Sequence, residues 1–484
     1  MRVLHVASEV APFAQSGGLA DVVAGLPAAL ADGYGLDVSV AVPLYRGVTA
    51  KLGSAGLGLG DGEPFAITVG PHRFQARVRE TRVGRVRYGF VDCPPLFDRD
   101  GTLYGPGGAA EFGDNHLRFA ALGKAALAWA PADVLHVHDW QGSLAAIYAR
   151  YAGASLAQPR PAIVTTIHNL AYRGIYPKWA VADLGLPWSH FDLHHYEFYD
   201  QLCLLKGGLA AADAVTTVSP SYAREIMTPE RGEALDGFLR TDVRRLVGIV
   251  NGIDVAAWDP SRDAALPARY SASAMAGKLT CRAAIAAELG LQLGDGDVLL
   301  GVIARMTGQK GIDLIADAVP ELQRLGGKLA LLGSGEPDLE DRFRYLARAF
   351  ADHVAVRIGF DIGLSRRLYA GCDAFVMPSR FEPCGLGQLY AMRYGTMPIV
   401  HAVGGLRDTV IDPGDAELAR GLGTGVRFDS ATGDGLVHAI ERAVALLRDP
   451  IARANLQRAA MARDSSWTAS ARQYVQLYRE LVHA

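Results

Sequence analysis

Short apolar runs alternate with stretches of helical apolar spacing from one end of the chain to the other, and the pattern starts afresh past the middle. VLHVAS (3–8), VLHVH (134–138), AIVTTIH (162–168) and AVTTVS (214–219) form one set of runs. VLLGVIA (298–304), KLALLG (328–333), VAVRIGF (354–360), DAFVMPS (373–379) and PIVHAV (398–403) form a second. Near-continuous apolar runs are what strands covered on both faces require, and helices between them supply the crossovers that parallel strands need. The fold class is therefore α/β with largely parallel, doubly covered sheets.

Residues 240–297 separate the two sets with turn-rich sequence, WDPSRD (258–263) and GDGD (294–297), and no strand–helix repeat. This predicts two Rossmann-like domains, 1–246 and 247–465, joined near 245–255. Small molecules are expected in a cleft between them, at the carboxyl ends of the strands. In the last segment, 466–484, Tyr474, Leu477, Tyr478 and Leu481 recur at helical spacing, so a helix over 466–482 needs a surface to cover.

Half of the 484 residues are hydrophobic and a fifth are charged, enough for large cores and too apolar for wholesale disorder. Basic and acidic side chains number 48 and 51, so no cationic excess exists to neutralise a nucleic-acid backbone. No uncharged apolar stretch reaches the roughly 20 residues of a membrane span. The first strand runs into Glu9 without the pattern of a secretory leader. Five scattered cysteines without CxxC spacing indicate neither a disulfide framework nor a zinc knuckle. The expectation is a cytoplasmic protein with no membrane or nucleic-acid partner.

Four segments carry chemistry. QSGGLADVV (15–23) is a two-glycine turn entering a helix, where free amides and the helix dipole favour an anion, although such turns also serve as plain connections. RMTGQKG (305–311) follows a strand and offers Arg305 and Lys310 as a grip for a diphosphate. PSRFEPCGLGQLYAM (378–392) presents Glu382 in a loop, and Gly385 leads toward a helix start whose amides can meet phosphate oxygens. HVHDWQ (136–141) and TTIHN (165–169) put Asp139 and His168 at strand ends, at the mouth of the expected cleft rather than in a core. His136 and His138 share a strand face as a metal pair would, but no third ligand follows at metal spacing. DxD patterns at Asp98–Asp100 and Asp295–Asp297 suit a metal-dependent sugar transferase, and equally suit turns.

Taken together, these segments resemble the bacterial glycogen synthase and plant starch synthase family. The likeness runs nearly the whole chain: SEVAPFAQSGGLADVV, HVHDWQ, TTIHNLAYRGIY, VSPSYAREI, GIVNGID, ARMTGQKGIDL, SRFEPCGLGQLYAMRYGTMPIV and GGLRDT. The resemblance implies the GT-B arrangement, two Rossmann-like domains facing a deep cleft, with the final helix crossing back to the N-terminal domain. It implies transfer of glucose from ADP-glucose to the non-reducing 4-hydroxyl of an α-1,4-glucan, with retention and without a metal or other cofactor. It assigns catalytic roles to Glu382, Arg305, Lys310, His168 and Asp139. Donor binding falls to Gln15, Gly17, Gly18, Asp21, Asn251, Phe360, Cys384, Gly385 and Leu386, with Phe360 stacking on the base. The family's Lys-Thr-Gly-Gly reads Gln15-Ser16-Gly17-Gly18 here, one cation fewer, and Tyr390 stands where the wider superfamily has a second glutamate. Other readings are a UDP-glucose or short-maltooligosaccharide transferase, and a non-catalytic glucan-binding protein.

Overall fold

The computed structural model describes residues 1–108, 110–151, 160–414, 416 and 420–483. They divide into two units, Met1–Gly252 with Trp467–Ala484, and Ile253–Ser466.

The first unit holds β1 (Arg2–Val6), β2 (Asp37–Pro43), β3 (Phe65–Val69), β4 (His72–Val83), β5 (Val86–Asp92), β6 (Val134–His138), β7 (Ala162–Ile167), β8 (Ile175–Pro177), β9 (Glu197–Phe198), β10 (Gln201–Cys203), β11 (Ala214–Thr217) and β12 (Leu246–Gly248). Its large sheet runs β12-β11-β7-β6-β1-β2-β5-β4-β3, and β8-β10-β9 make a small antiparallel sheet. From β12 to β5 every pairing is parallel, whereas β4 pairs antiparallel with both β5 and β3. The antiparallel edge departs from the expected parallel pattern because β4 alternates exposed and buried side chains and needs cover on one face only.

Val215–Thr217 pair with Leu246–Gly248, so the unit boundary falls at Gly252 and Ile253 rather than between 246 and 247. The helix Trp467–Val482 buries Tyr474, Val475, Leu477 and Tyr478 within this same unit. Its Trp467 lies on the helix Gly18–Tyr34 at Gly25, where an added Cβ would sit 2.0 Å from the indole nitrogen. Ser470 Oγ donates to Val250 O at 2.6 Å, and Arg245 pairs with Glu480. These contacts give the last helix the surface its spacing called for.

The second unit holds β13 (Val298–Ile303), β14 (Gly327–Gly333), β15 (Val354–Ile358), β16 (Ala374–Met377), β17 (Met397–His401) and β18 (Val426–Phe428), ordered β15-β14-β13-β16-β17-β18 and parallel throughout. Both faces are covered: Leu300 and Val302 pack with Leu314, Ile315 and Val319, while Leu299 and Leu332 pack with Ile285, Leu364 and Leu368. That double burial explains the unbroken apolar runs.

Each sheet has a point where chain order reverses, between β1 and β6 in the first unit and between β13 and β16 in the second. Loops leaving neighbouring strands there diverge to opposite faces and leave a crevice at the carboxyl edge, where ligands of such sheets bind. All four chemistry-bearing segments include a loop at one of these points or on the adjoining strand β7.

Candidate active site

In the second unit, Arg305 and Lys310 follow β13 and the Glu382 loop follows β16. Lys310 Nζ meets Glu382 Oε2 at 2.6 Å, and Ser379 Oγ donates to the same oxygen at 3.0 Å. Glu382 is buried, so its charge is matched by a cation and a hydroxyl rather than by water. The loop bearing Lys310 is drawn tight by Gly311, whose φ of 66° and close approach to Pro378 O leave no room for a Cβ. The peptide at Glu382 is also crowded: Gly405 N donates to Glu382 O at 3.2 Å, and a Cβ on Gly404 would lie 2.1 Å from that oxygen. The GGLRDT run therefore shapes the Glu382 loop, a role its sequence did not disclose. The Arg305 side chain is exposed and makes no hydrogen bond or ion pair with the described residues. Phe360, just past β15, is 85% exposed. Cys384 is buried, Gly385 takes φ 73°, and Leu386 precedes a helix of only seven residues, Gly387–Arg393. Tyr390 stacks on Trp258 with ring centroids 4.0 Å apart, part of the packing of this unit.

In the first unit, Asp139 directly follows β6 and opens the helix Asp139–Tyr151 with φ 51°, a conformation that side-chain-bearing residues adopt rarely and that often marks functional positions. Its Oδ1 accepts the backbone N–H of His168 at 2.7 Å. The sequence placed both residues at the mouth of a cleft rather than in a core; within this unit Asp139 is buried and His168 half-buried. Burial pushes the Asp139 carboxyl up to about 7. Asn251 is buried too, and its Oδ1 has no partner among the described residues.

The two-glycine turn also differs from expectation. Glu9, not singled out from the sequence, accepts Ser16 N at 2.7 Å, Gly17 N at 3.2 Å, and the hydroxyls of Ser16 and Tyr104 at 2.5 Å each. The Gly17 amide is thus committed to the chain's own carboxylate instead of lying open to a ligand, and the helix begins at Gly18. Gln15 is exposed, with its amide 3.4 Å from Asp21, whose carboxyl burial and the neighbouring Glu9 charge raise to about 6. An open cavity of about 270 Å³ in the first unit has walls that include Glu111, Trp140, Tyr172, Arg173 and Tyr176.

The candidate metal ligands have partners of their own. Arg46 binds Asp98 at 2.7 Å and also pairs with Asp100, while Asp297 accepts the Gly294 amide at 2.8 Å, so these DxD carboxylates serve local structure. His136 and His138 do gain a third imidazole: β1 beside β6 sets His5 opposite His136, with ring nitrogens of all three within 4.8 Å. Yet both His136 nitrogens meet hydroxyls at 2.6 Å, Tyr478 and Thr166, and both His138 nitrogens meet imidazoles, His5 at 3.0 Å and His168 at 2.9 Å. A metal ion at this cluster would have to displace these hydrogen bonds.

Residues 2–241 match the family model of the starch synthase catalytic domain, and residues 290–463 that of glycosyl transferases group 1. The glycogen synthase of Anaeromyxobacter dehalogenans (strain 2CP-C) is 46% identical over 99% of this chain and 100% of its own length. That of Thioalkalivibrio sulfidiphilus is 43% identical over the full length of both. The chain belongs to the glycogen and starch synthase family. Among solved structures, the catalytic domain of starch synthase IV from Arabidopsis thaliana, bound to ADP and acarbose, superposes with a TM-score of 0.88 at 32% identity, covering 100% of this chain and 99% of that one. Sucrose-phosphate synthase from Thermosynechococcus elongatus shares the fold at a TM-score of 0.59 and 19% identity, covering 100% and 99% of the two chains. The fold is that of the GT-B glycosyltransferases, and the chain is a glycosyltransferase of glycogen synthesis. No helix among the described residues is long and apolar enough to cross a membrane.

Proposed function

We propose that this protein transfers glucosyl from ADP-glucose to the non-reducing 4-hydroxyl of an α-1,4-glucan with retention at the anomeric carbon. The observation that carries the reading is the Lys310–Glu382 pair beside the switch point of the second unit, with Arg305, which has no partner among the described residues, on the same loop as Lys310. Two cations from one loop suit a diphosphate, whose charge grows as the glycosidic bond breaks. Fixed donors aimed at developing charge do this without reorganising during the reaction. Arg305 and Lys310 then supply the electrostatic help that a metal ion supplies in other transferases, with no metal needed.

Glu382 orients hydroxyls of the transferred sugar. Its Oε2 already receives Lys310 and Ser379, which lowers its power as a nucleophile and favours a front-face route in which departing diphosphate takes the proton of the incoming hydroxyl. Phe360 offers a stacking face to adenine, and Cys384, Gly385 and Leu386 bring backbone to the donor. In the first unit, Gly18 and Asp21 line the donor side, and the partnerless Oδ1 of Asn251 seeks a hydroxyl donor. Asp139 holds the His168 peptide against the sugar. The cavity walled by Trp140, Tyr172 and Tyr176 offers aromatic faces and the polar edges of Glu111 and Arg173, which suits glucan rings on the acceptor side. The Arabidopsis relative's ADP and acarbose are a nucleotide and a sugar chain of the classes this reading requires.

The test is release of nucleoside diphosphate in the presence of glycogen, comparing ADP-glucose with UDP-glucose. Glycogen-dependent ADP release, reduced about 10²–10³-fold by Arg305→Ala, is the expected result. Preferential use of UDP-glucose would reassign the donor, and turnover of neither would defeat the reading.

A further inference from the structure

A chain of imidazoles lies beneath the first unit's site, and its ends determine its direction. His5 Nδ1 lies 3.0 Å from His138 Nε2, and His138 Nδ1 lies 2.9 Å from His168 Nε2. The rings of His5 and His138 are wholly buried, and burial holds all three imidazoles neutral, His5 and His168 at about 3 and His138 well below its ordinary value. Each ring therefore carries one N–H, and a single choice at His5 sets the other two. His5 Nε2 is buried with no partner among the described residues. With the proton on Nε2, the fold would bury an orphaned N–H, which native structures avoid more strongly than an orphaned lone pair. The proton therefore sits on His5 Nδ1 and is donated to His138 Nε2. His138 must then carry its proton on Nδ1 and donate it to His168 Nε2. His168 is left with its proton on Nδ1, the one chain nitrogen that is neither bonded to a described residue nor buried without a partner.

We propose that His5 and His138 are positioning residues that fix the tautomer of His168, so that the site holds a permanent neutral N–H donor at the end of β7. Both residues come from strands next to one another or to β7, and each is held by the sheet register that sets His5 opposite His136 and His138 opposite Thr166. A donor held in one tautomer donates to an oxygen of the sugar nucleotide without a proton shift, the preorganisation that a site for a developing oxyanion or a bound hydroxyl benefits from. This last step rests on the transferase reading; the tautomer assignment does not.

The test is long-range ¹H–¹⁵N correlation of the ligand-free full chain labelled at histidine, with His168 identified by loss of its signals in His168→Gln. Nδ1–H tautomers at His5, His138 and His168 are expected. An Nε2–H tautomer at His168, averaging of its two forms, or nitrogen shifts that move when zinc chloride is added to chelator-treated protein would overturn the proposal. His5→Asn, whose amide can replace the Nδ1 donor, should keep the His168 tautomer and the wild-type kcat. His5→Leu should release the tautomer and lower kcat about 3- to 10-fold with donor KM little changed. Equal loss in both variants with the His168 tautomer retained would also overturn it. If the tautomers are as assigned and neither sugar nucleotide turns over, the transferase reading fails and the tautomer assignment stands.

Discussion

The two units solve the same problem, holding polar groups still at a sheet's carboxyl edge, by opposite physical means. The second unit uses charge: Lys310 and Glu382 meet at 2.6 Å, and Arg305 waits unpaired in solvent. The first uses neutral hydrogen bonds in a buried interior, three imidazoles in series (His5, His138 and His168), a fourth, His136, held between Tyr478 and Thr166, and one carboxyl, Asp139, that burial drives toward neutrality. A charged pair at the carboxyl edge can answer a charged ligand, although burying Glu382 costs desolvation that Lys310 must offset. Buried neutral groups gain rigidity but become hostage to pH.

The largest effect that would break the comparison is at Lys310. Lys310→Met removes a cation from the diphosphate grip and strands Glu382 as a buried, half-satisfied carboxylate. Transfer should fall by about 10²–10³-fold, with a lowered Tm, whereas Arg305→Ala should lower transfer comparably at unchanged Tm because its side chain supports nothing in the fold. Calorimetry beside the diphosphate assay checks both. Equal Tm losses would mean that Arg305 is structural.

Acid should separate the units. Unfolded histidine takes up a proton near 6.5, but burial holds His5 and His168 at about 3 and His136 and His138 well below their ordinary value. Between about 6.5 and 3 the unfolded chain binds protons that the folded one refuses. The stabilising contribution is fully present above about 6.5 and is lost as pH falls, by up to about 1.4 kcal/mol per pH unit for each imidazole. Asp139 acts in the opposite sense: with its carboxyl raised from 3.8 to about 7, the folded state keeps a proton that the unfolded chain has released, so this contribution is lost as pH rises through that window. Four groups outweigh one. Hydrogen exchange followed segment by segment should show β1, β6 and β7 losing protection on acidification before β13 and β16 do. Simultaneous loss would show that the imidazole cluster does not set acid stability.

A smaller effect is expected at Gln15. Restoring the family's lysine, Gln15→Lys, adds a cation to the first unit's anion turn and an ion pair with Asp21, and should lower the donor KM about 5-fold or more. An unchanged donor KM would show that position 15 does not meet the nucleotide sugar. The smallest is at the turn of Asp98 and Asp100: Asp100→Asn should leave transfer unchanged with or without chelator, since both carboxylates already serve Arg46. Chelator-sensitive transfer that this variant abolishes would restore the metal reading.

Sequence alone determined the architecture and its punctuation. Strands buried on both faces must be continuously apolar, so β6, β7, β11 and the strands β13 to β17 stand out by composition, and the glycine-bearing loops after them mark where ligands meet backbone. The half-exposed β4 lacks that signal, because alternation over one face mixes with the charges on the other. Lys310 and Glu382 were legible because charged side chains at the ends of apolar strands have little other reason to be there. Glu9, His5 and the approach of Gly404 to Glu382 were not legible: each acquires its role from a contact that only the folded turn, the sheet register or neighbouring loops create. Only the tertiary structure decided that His5 stands opposite His136, that Glu9 occupies the amides of its own anion turn, and that Tyr478 returns from the last helix to reach β6. Apolar periodicity is a local property of the chain. The direction of a buried hydrogen-bond chain depends on what both its ends find, and that is settled only when distant strands lie side by side.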